Sequence, residues 1–343
     1  MNKKLKNIII GTLKFLLIFG IFAFLFWRAA QNDTFTALLE QKKNWNFLLL
    51  GFSLNFFGIL LTFIRWKWLV RGLGIPIGYP EAIRLGFLGL IFNLLPMGIV
   101  GGDLVKGYLL ARNYPAKKIE AAASVIVDRI IGLYIMFLLG FIMIWICGFV
   151  NNSNREARIA VGAIIWFFIL STIGIGFLLF PESKAGLRRR IIKKIPFAGA
   201  LLEKLTAAMQ VYREHKILLL VSGSITFILH LCYGLSLYFL ACGLFGYAPS
   251  ILDHWVIYPI SNTGTLIPLS AGPVEYFLDV LYPLFTIPGH EAYRPGFGMI
   301  VGVAFRFTSL LVMGIGGIYY LAGRGEIAES LKDFHQENDR QQD

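Results

Sequence analysis

Charge is what this sequence has least of. Only 15% of its 343 residues are Asp, Glu, Lys or Arg, against about a quarter in a typical soluble domain. That scarcity rules out a disordered, self-repelling chain. The complementary excess, 57% hydrophobic residues, is more than one aqueous core can bury and rules out a soluble enzyme. Cysteine is nearly absent. Cys147, Cys232 and Cys242 lie in or beside apolar stretches without a Cys-x-x-Cys pair, which excludes a disulfide scaffold and reads as small buried residues. Of five histidines only His230 falls deep in an apolar run. No His-Glu-x-x-His, Gly-x-Ser-x-Gly or Walker Gly-x-x-x-x-Gly-Lys-Ser/Thr occurs, so the expectation is no metal site, no cofactor, no ATP hydrolysis and no enzyme.

What is present is glycine (36), phenylalanine (30) and apolar runs near 20 residues long. This composition specifies an all-α polytopic membrane protein, since runs apolar on every side do not suit the alternating strands of a β-barrel. The formal charge of +12 sits in short clusters beside these runs. It points to anionic headgroups and not to nucleic acid.

Full spans are expected at about Ile8 to Trp27, Phe47 to Trp66, Ala123 to Phe149, Ile159 to Phe180, Ile217 to Phe245 and Gly298 to Leu321. The first is too long for a signal peptide. Two further stretches, Ala82 to Val105 and Trp255 to Leu281, are interrupted by Asn93, Pro96, Gly98, Gly101 and Gly102, and by Asn262, Gly264, Pro268, Gly272 and Pro273. Nine basic residues fall between Glu182 and Lys216, whereas Asn151 to Arg158 has two and Gly246 to His254 none. The basic loop 182–216 is therefore expected to be cytoplasmic. Consistent parity then makes both broken stretches re-entrant hairpins and places both termini in the cytoplasm of an inner-membrane protein. A competing reading, with each broken stretch a full crossing, would put Lys106, Arg112, Lys117 and Lys118 outside.

The chain also resembles itself. The segment at about 44–140 lays over 215–317: Trp45-Asn46-Phe47-Leu48 on Lys216-Ile217-Leu218-Leu219, and Gly72 on Gly243. Pro96 follows Gly72 by 24 residues and Pro268 follows Gly243 by 25, and an acid, Asp103 or Glu275, stands seven residues beyond each proline. Arg129 and Arg306 close the two units. With the copies starting on opposite sides, this reads as an inverted-topology repeat, the arrangement of secondary transporters. The whole forms a single transmembrane domain, 1–323, followed by a polar cytoplasmic tail, 324–343, expected to be largely disordered.

Asp103, Asp128, Arg129, Glu275 and Arg306 are the costly residues. Unpaired at helix centres they would cost roughly 12 to 18 kcal/mol together, so they must pair, reach water or meet a ligand. Adjacent Asp128 and Arg129 point about 100° apart on a helix and need separate partners. The simplest scheme joins Asp103 or Glu275 to Arg129 or Arg306. Guanidinium forks suit phosphate, and helices resuming after Gly101-Gly102 and after Gly272 would offer amide-rich ends to an anion. Asp103 could equally serve as an N-cap there. Lys106 either reaches the same anion or snorkels, and Asn93 and Asn262 are expected to satisfy freed backbone groups. Arg65-Trp66-Lys67-Trp68 reads as an interfacial anchor.

The runs Asn93-Leu94-Leu95-Pro96-Met97-Gly98-Ile99-Val100-Gly101-Gly102-Asp103, Asp128-Arg129-Ile130-Ile131-Gly132-Leu133 and Pro268-Leu269-Ser270-Ala271-Gly272-Pro273-Val274-Glu275 resemble the lysylphosphatidylglycerol synthase transmembrane-region family of flippase-like proteins. The resemblance spans about Leu5 to Gly323. It implies a membrane half that moves aminoacylated phosphatidylglycerol, with stand-alone relatives tied to other lipids. No aminoacyl-transferase domain follows Leu321, so a stand-alone member is expected and not a synthase. The resulting expectation is a flippase whose substrate is a membrane phospholipid or lipid-linked molecule. Arg129, Arg306, Asp103, Glu275, Lys106, Asp128, Asn93, Gly101, Gly102, Pro96, Pro268 and Gly272 would form its site. The alternatives are a membrane glycosyl- or acyl-transferase acting on a lipid-linked donor, and a non-transporting scaffold whose partner is a lipid-modifying enzyme.

Overall fold

A computed structural model describes residues 3–92, 99–179, 206, 212–213, 216–286 and 295–321. Eleven α-helices are assigned among them: α1 Lys3–Gln31, α2 Thr34–Glu40, α3 Trp45–Gly72, α4 Tyr79–Phe92, α5 Ile99–Asn113, α6 Lys118–Ile146, α7 Arg155–Leu179, α8 Lys216–Phe245, α9 Ile251–Asn262, α10 Pro273–Leu281 and α11 Phe297–Leu321. The described residues include no strand. Six helices, α1, α3, α6, α7, α8 and α11, are long and apolar enough to cross a membrane. They coincide with the six full spans read from the sequence.

Each broken stretch becomes two shorter helices packed on one another, α4 with α5 and α9 with α10. These have 14 and 15 residues, then 12 and 9, below the roughly 20 that a hydrocarbon core requires. Asn93 and Pro96 lie outside the described residues, as do most of the basic loop and the whole tail. In the second stretch α9 passes into a 3-10 turn, Thr263–Leu266. The chain then reverses at Gly272, whose φ of +102° is open to glycine at little cost. Pro273 opens α10, where its missing N–H costs nothing.

The most extensive helix contact joins α3 to α8. Lipid tails supply little hydrophobic drive between helices, so close van der Waals packing has to hold them. Small residues provide it: a Cβ on Gly51 would meet Leu240 at 2.9 Å, and one on Gly243 would meet Leu48 at 2.7 Å. At the other end Gly72 presses on Leu218. Residues early in α3 therefore oppose residues late in α8, and the two helices run antiparallel. Contacts also follow a regular scheme: α3–α4 is matched by α8–α9, α4–α5 by α9–α10, α5–α6 by α10–α11, α4–α11 by α9–α6, α3–α6 by α8–α11, and α8–α6 by α3–α11. Exchanging α3 to α6 for α8 to α11 leaves the pattern unchanged.

Large apolar side chains such as Phe15, Trp166, Ile173, Leu220 and Ile318 point outward around this bundle, as lipid-facing positions do. The principal core lies between α6 to α11, around Met136, Leu237, Ile257, Leu278 and Met299. A second core fills the space between α3, α4, α5 and α6, around Trp66, Leu85 and Leu110.

Candidate functional site

Between the two broken stretches lies a cavity of about 290 Å³. Thr62 and Arg65 reach it from α3, Gly89 from α4, Asp103 and Lys106 from α5, and Asp128, Arg129 and Met136 from α6. The opposite wall is His230 and Tyr233 of α8, Tyr258 and Asn262 of α9, and Thr265 from the turn that follows. One wall is ionised and the other is aromatic and amide.

Asp128 and Arg129 serve different partners, as their helical separation requires. Arg129 Nε donates to Asp103 Oδ2 at 2.7 Å, with a second, shorter contact from its terminal nitrogen to the same oxygen. Asp128 Oδ1 accepts from Arg65 Nε at 2.8 Å, and Arg65 donates onward to Thr226 Oγ1 at 3.1 Å. Lys106 stands between the two carboxylates, its Nζ 3.8 Å from Asp103 Oδ1 and 3.6 Å from Asp128 Oδ2. Both separations exceed a direct hydrogen bond. The ammonium also lies 4.4 Å from the centre of the Trp66 ring, within cation–π range. Three cations thus face two carboxylates in the cavity lining, a surplus of one positive charge. Arg65 and Lys106 are buried, at 6% and 8% exposure, whereas the Arg129 side chain keeps 37%.

On the facing wall, His230 Nε2 lies 3.0 Å from the Gly132 carbonyl and Nδ1 lies 3.1 Å from Tyr258 Oη. A carbonyl only accepts, so Nε2 carries a proton and donates. In neutral imidazole Nδ1 then accepts from the tyrosine. Asn262 turns its amide toward Met136 Sδ at 3.1 Å, and so lines the cavity instead of satisfying freed backbone.

The second unit repeats the acid–arginine pairing elsewhere. Glu275 Oε1 accepts from Arg306 Nε, its Oε2 accepts from the Gly272 N–H at 2.8 Å, and Arg306 donates to the Ser270 carbonyl at 2.8 Å. These contacts tie the start of α10 to α11 across the turn containing Pro268. Neither Glu275 nor Arg306 lines the cavity, and Pro268 is exposed.

Two further readings of the residues are corrected. Helix α5 begins at Ile99, so Gly101 and Gly102 lie inside it and Asp103 is a fifth helical residue, not an N-cap. The close approach is explained on the α4 side: a Cβ on Gly89 would fall 3.0 Å from the Gly102 carbonyl oxygen, and α4 and α5 touch by backbone there. Arg65 is likewise no interfacial anchor. Together with Trp66 and Lys67 it is buried, with Lys67 Nζ 3.3 Å from the centre of the Tyr79 ring and Trp66 donating to Ser124 Oγ at 3.2 Å. Only Trp68 stays exposed. A run of alternating cations and tryptophans looks the same at a membrane surface and at a buried helix crossing. Depth in the assembled bundle separates the two, and one helix alone does not carry that information.

Comparison with known proteins places the chain. Residues 11–317 match the family model described as the lysylphosphatidylglycerol synthase TM region. The chain is 21% identical over 314 residues to a UPF0104 membrane protein of Methanothermobacter thermautotrophicus, across 85% of this chain and 90% of that protein. It is 24% identical over 192 residues to a UPF0104 membrane protein of Methanocaldococcus jannaschii, across 55% of this chain and 53% of the relative, so the match spans about half of that relative's length. No solved structure matches.

Proposed function

This chain belongs to the lysylphosphatidylglycerol synthase transmembrane-region family, and from that premise we propose that it is a lipid transporter moving a phospholipid or lipid-linked headgroup between leaflets. The observation that carries this reading is the ionised lining of the cavity: Arg65, Lys106 and Arg129 face Asp103 and Asp128 in it, with one cation in excess. Burying so many charges in a multi-pass protein is costly without a use for them. A phosphate entering the cavity would take up the surplus charge, with Arg129 offering its fork and Lys106 a point charge. The acyl or prenyl tails would remain in the bilayer.

The antiparallel α3 and α8 and the exchangeable contact pattern support an inverted repeat. The short paired helices support re-entrant hairpins, and the nine basic residues between Glu182 and Lys216 favour a topology with both termini cytoplasmic in an inner membrane. Alternating access would then rock one repeat against the other about the cavity. In this scheme Arg129 and Asp103 belong to the loaded half-site, while Glu275 and Arg306 lock the second hairpin. A membrane potential is worth about 2.3 kcal/mol per charge per 100 mV; a negative interior drives a net anionic headgroup outward.

Reconstitution tests the proposal. Purified protein in liposomes should speed the exchange of a fluorescent anionic phospholipid between leaflets, read by chemical quenching of the outer leaflet. Liposomes in which no lipid moves but a lipid donor is converted to product would overturn transport in favour of a transferase.

A further inference from the structure

A second recess lies away from the cavity and shares none of its lining residues. It opens where α3 ends and α8 begins, has a volume of about 860 Å³, and is walled by Trp68, Arg71, Lys216, Ile217 and Val221. Gly72 forms its floor, pressed so closely on Leu218 that a Cβ would sit 2.2 Å from that side chain. Arg71 and Lys216 are both exposed. Neither side chain makes a hydrogen bond or ion pair with the described residues. The neighbouring Lys117 is already paired with Glu120 at 3.1 Å.

The chemistry of the recess is graded. Two unpaired cations stand at the rim, Lys216 being the first residue of a 30-residue helix, whose N-terminal end adds partial positive charge. One turn down α8 the surface is aliphatic and open, with Ile217 at 79%, Leu220 at 70% and Val221 at 37% exposure, and Trp68 flanks it at 39%. A free inorganic anion would use only the rim. A molecule with an anionic head and a hydrocarbon tail would use all of it, in the place where two candidate membrane spans reach their ends.

We propose that the recess between Trp68, Arg71 and Lys216 is a peripheral binding site for one anionic phospholipid, distinct from the transport cavity. The phosphate lies between Arg71 and Lys216, and the glycerol and upper chain run over Ile217 and Val221. A lipid seated there spans the α3–α8 crossing, the main contact between the two halves, and braces it.

Native mass spectrometry of the full chain, released from detergent holding equal amounts of phosphatidylglycerol and phosphatidylcholine, tests the site. The wild type should retain a phosphatidylglycerol adduct. In the Arg71→Gln/Lys216→Gln double variant its occupancy should fall about thirtyfold, equivalent to about 2 kcal/mol at 1.4 kcal/mol per decade. Arg129→Gln, which alters only the cavity, should keep the adduct. Four results would overturn the proposal: equal retention of both lipids, an adduct indifferent to the double variant, an adduct lost with Arg129→Gln instead, or binding of inorganic phosphate without lipid. Brominated phosphatidylglycerol provides a second readout in liposomes. It should quench the share of tryptophan emission that Trp68→Phe removes, and should do so less in the double variant.

Discussion

Arg65 of α3 and Asp128 of α6 form an ion pair of 2.8 Å with only 7% and 11% of their side chains exposed. Buried pairs are costly to half-remove, because the remaining charge keeps its desolvation penalty and loses its partner. Asp128→Ala should therefore destabilise the protein by about 3 to 5 kcal/mol, read as a lower unfolding temperature in detergent. Replacing both residues, Arg65→Met with Asp128→Leu, should recover most of that loss while Lys106 keeps Asp103. A double variant no more stable than Asp128→Ala would show that the pair itself is not the cause.

Arg129 differs from Arg65 in keeping more than a third of its side chain accessible. Removing it should spare folding and affect transport. Losing its charge-assisted hydrogen bonds to a headgroup corresponds to roughly 1.5 to 3 kcal/mol, or about 10- to 150-fold in lipid movement. Arg129→Lys should restore little of this, since an ammonium cannot reproduce the bidentate fork. Rates in liposomes measured at equal protein content check both variants, and full activity in Arg129→Ala would remove this residue from the site.

The six crossing helices and the two interrupted stretches were legible because an unbroken apolar run of about 20 residues is long enough to span a bilayer and clustered prolines and glycines break a helix. That acids pair with arginines was legible too, since five unpaired charges could not be carried, but the sequence left open which acid meets which arginine, and the fold joins Asp103 to Arg129 and Glu275 to Arg306. Arg65 was not legible. Its burial depends on α3 crossing α6 and α8, a tertiary fact that the local pattern of cations and tryptophans hides. The placement of Glu275 and Arg306 beyond the cavity lining escaped for a related reason: overlaying the two segments of the sequence suggests equivalent roles, but Leu278 and Phe305 fall where the first segment has Lys106 and Asp128, and the ionised side chains of the lining all come from α3, α5 and α6.

Close helix approach yields a further prediction. A Cβ at Gly298 would lie 2.2 Å from the Leu278 carbonyl oxygen, whereas one at Gly162 meets nothing within 4 Å. Gly298→Ala must push α11 off the backbone of α10, and should cost about 1 to 3 kcal/mol or more. Gly162→Ala should be neutral or gain up to about 1 kcal/mol from helix propensity. Unfolding temperatures of the two variants, measured side by side, decide it; equal values would mean that α10 and α11 are not packed as described.

The first helix is held by one buried acid. Asp279 of α10 accepts from Arg28 of α1 at 3.1 Å through Oδ2, and through Oδ1 from the Gly296 and Met299 N–H groups at 2.6 and 3.4 Å. The last two are amide donors at the start of α11, which have no carbonyl of their own helix to bond. Asp279→Ala therefore strands two buried backbone donors, each costing about 1 to 3 kcal/mol, and returns the partly exposed Arg28 guanidinium to water. Arg28→Ala leaves the carboxylate with both amides, and the partly exposed flank that Arg28 vacates admits water to Oδ2. The expected order of destabilisation is Asp279→Ala, then Asp279→Asn, which keeps one acceptor for the amides, then Arg28→Ala. Arg28→Ala should instead loosen α1, whose other ties to this region include Ile21 against Gly272, Ala29 against Gly296, and the Thr34 hydroxyl on the Pro295 carbonyl. Limited proteolysis around Asn32 and Asp33 should then run faster than in the wild type with little change in unfolding temperature. If Arg28→Ala lowers that temperature as far as Asp279→Ala does, the ion pair and not the capping of α11 is the larger contribution.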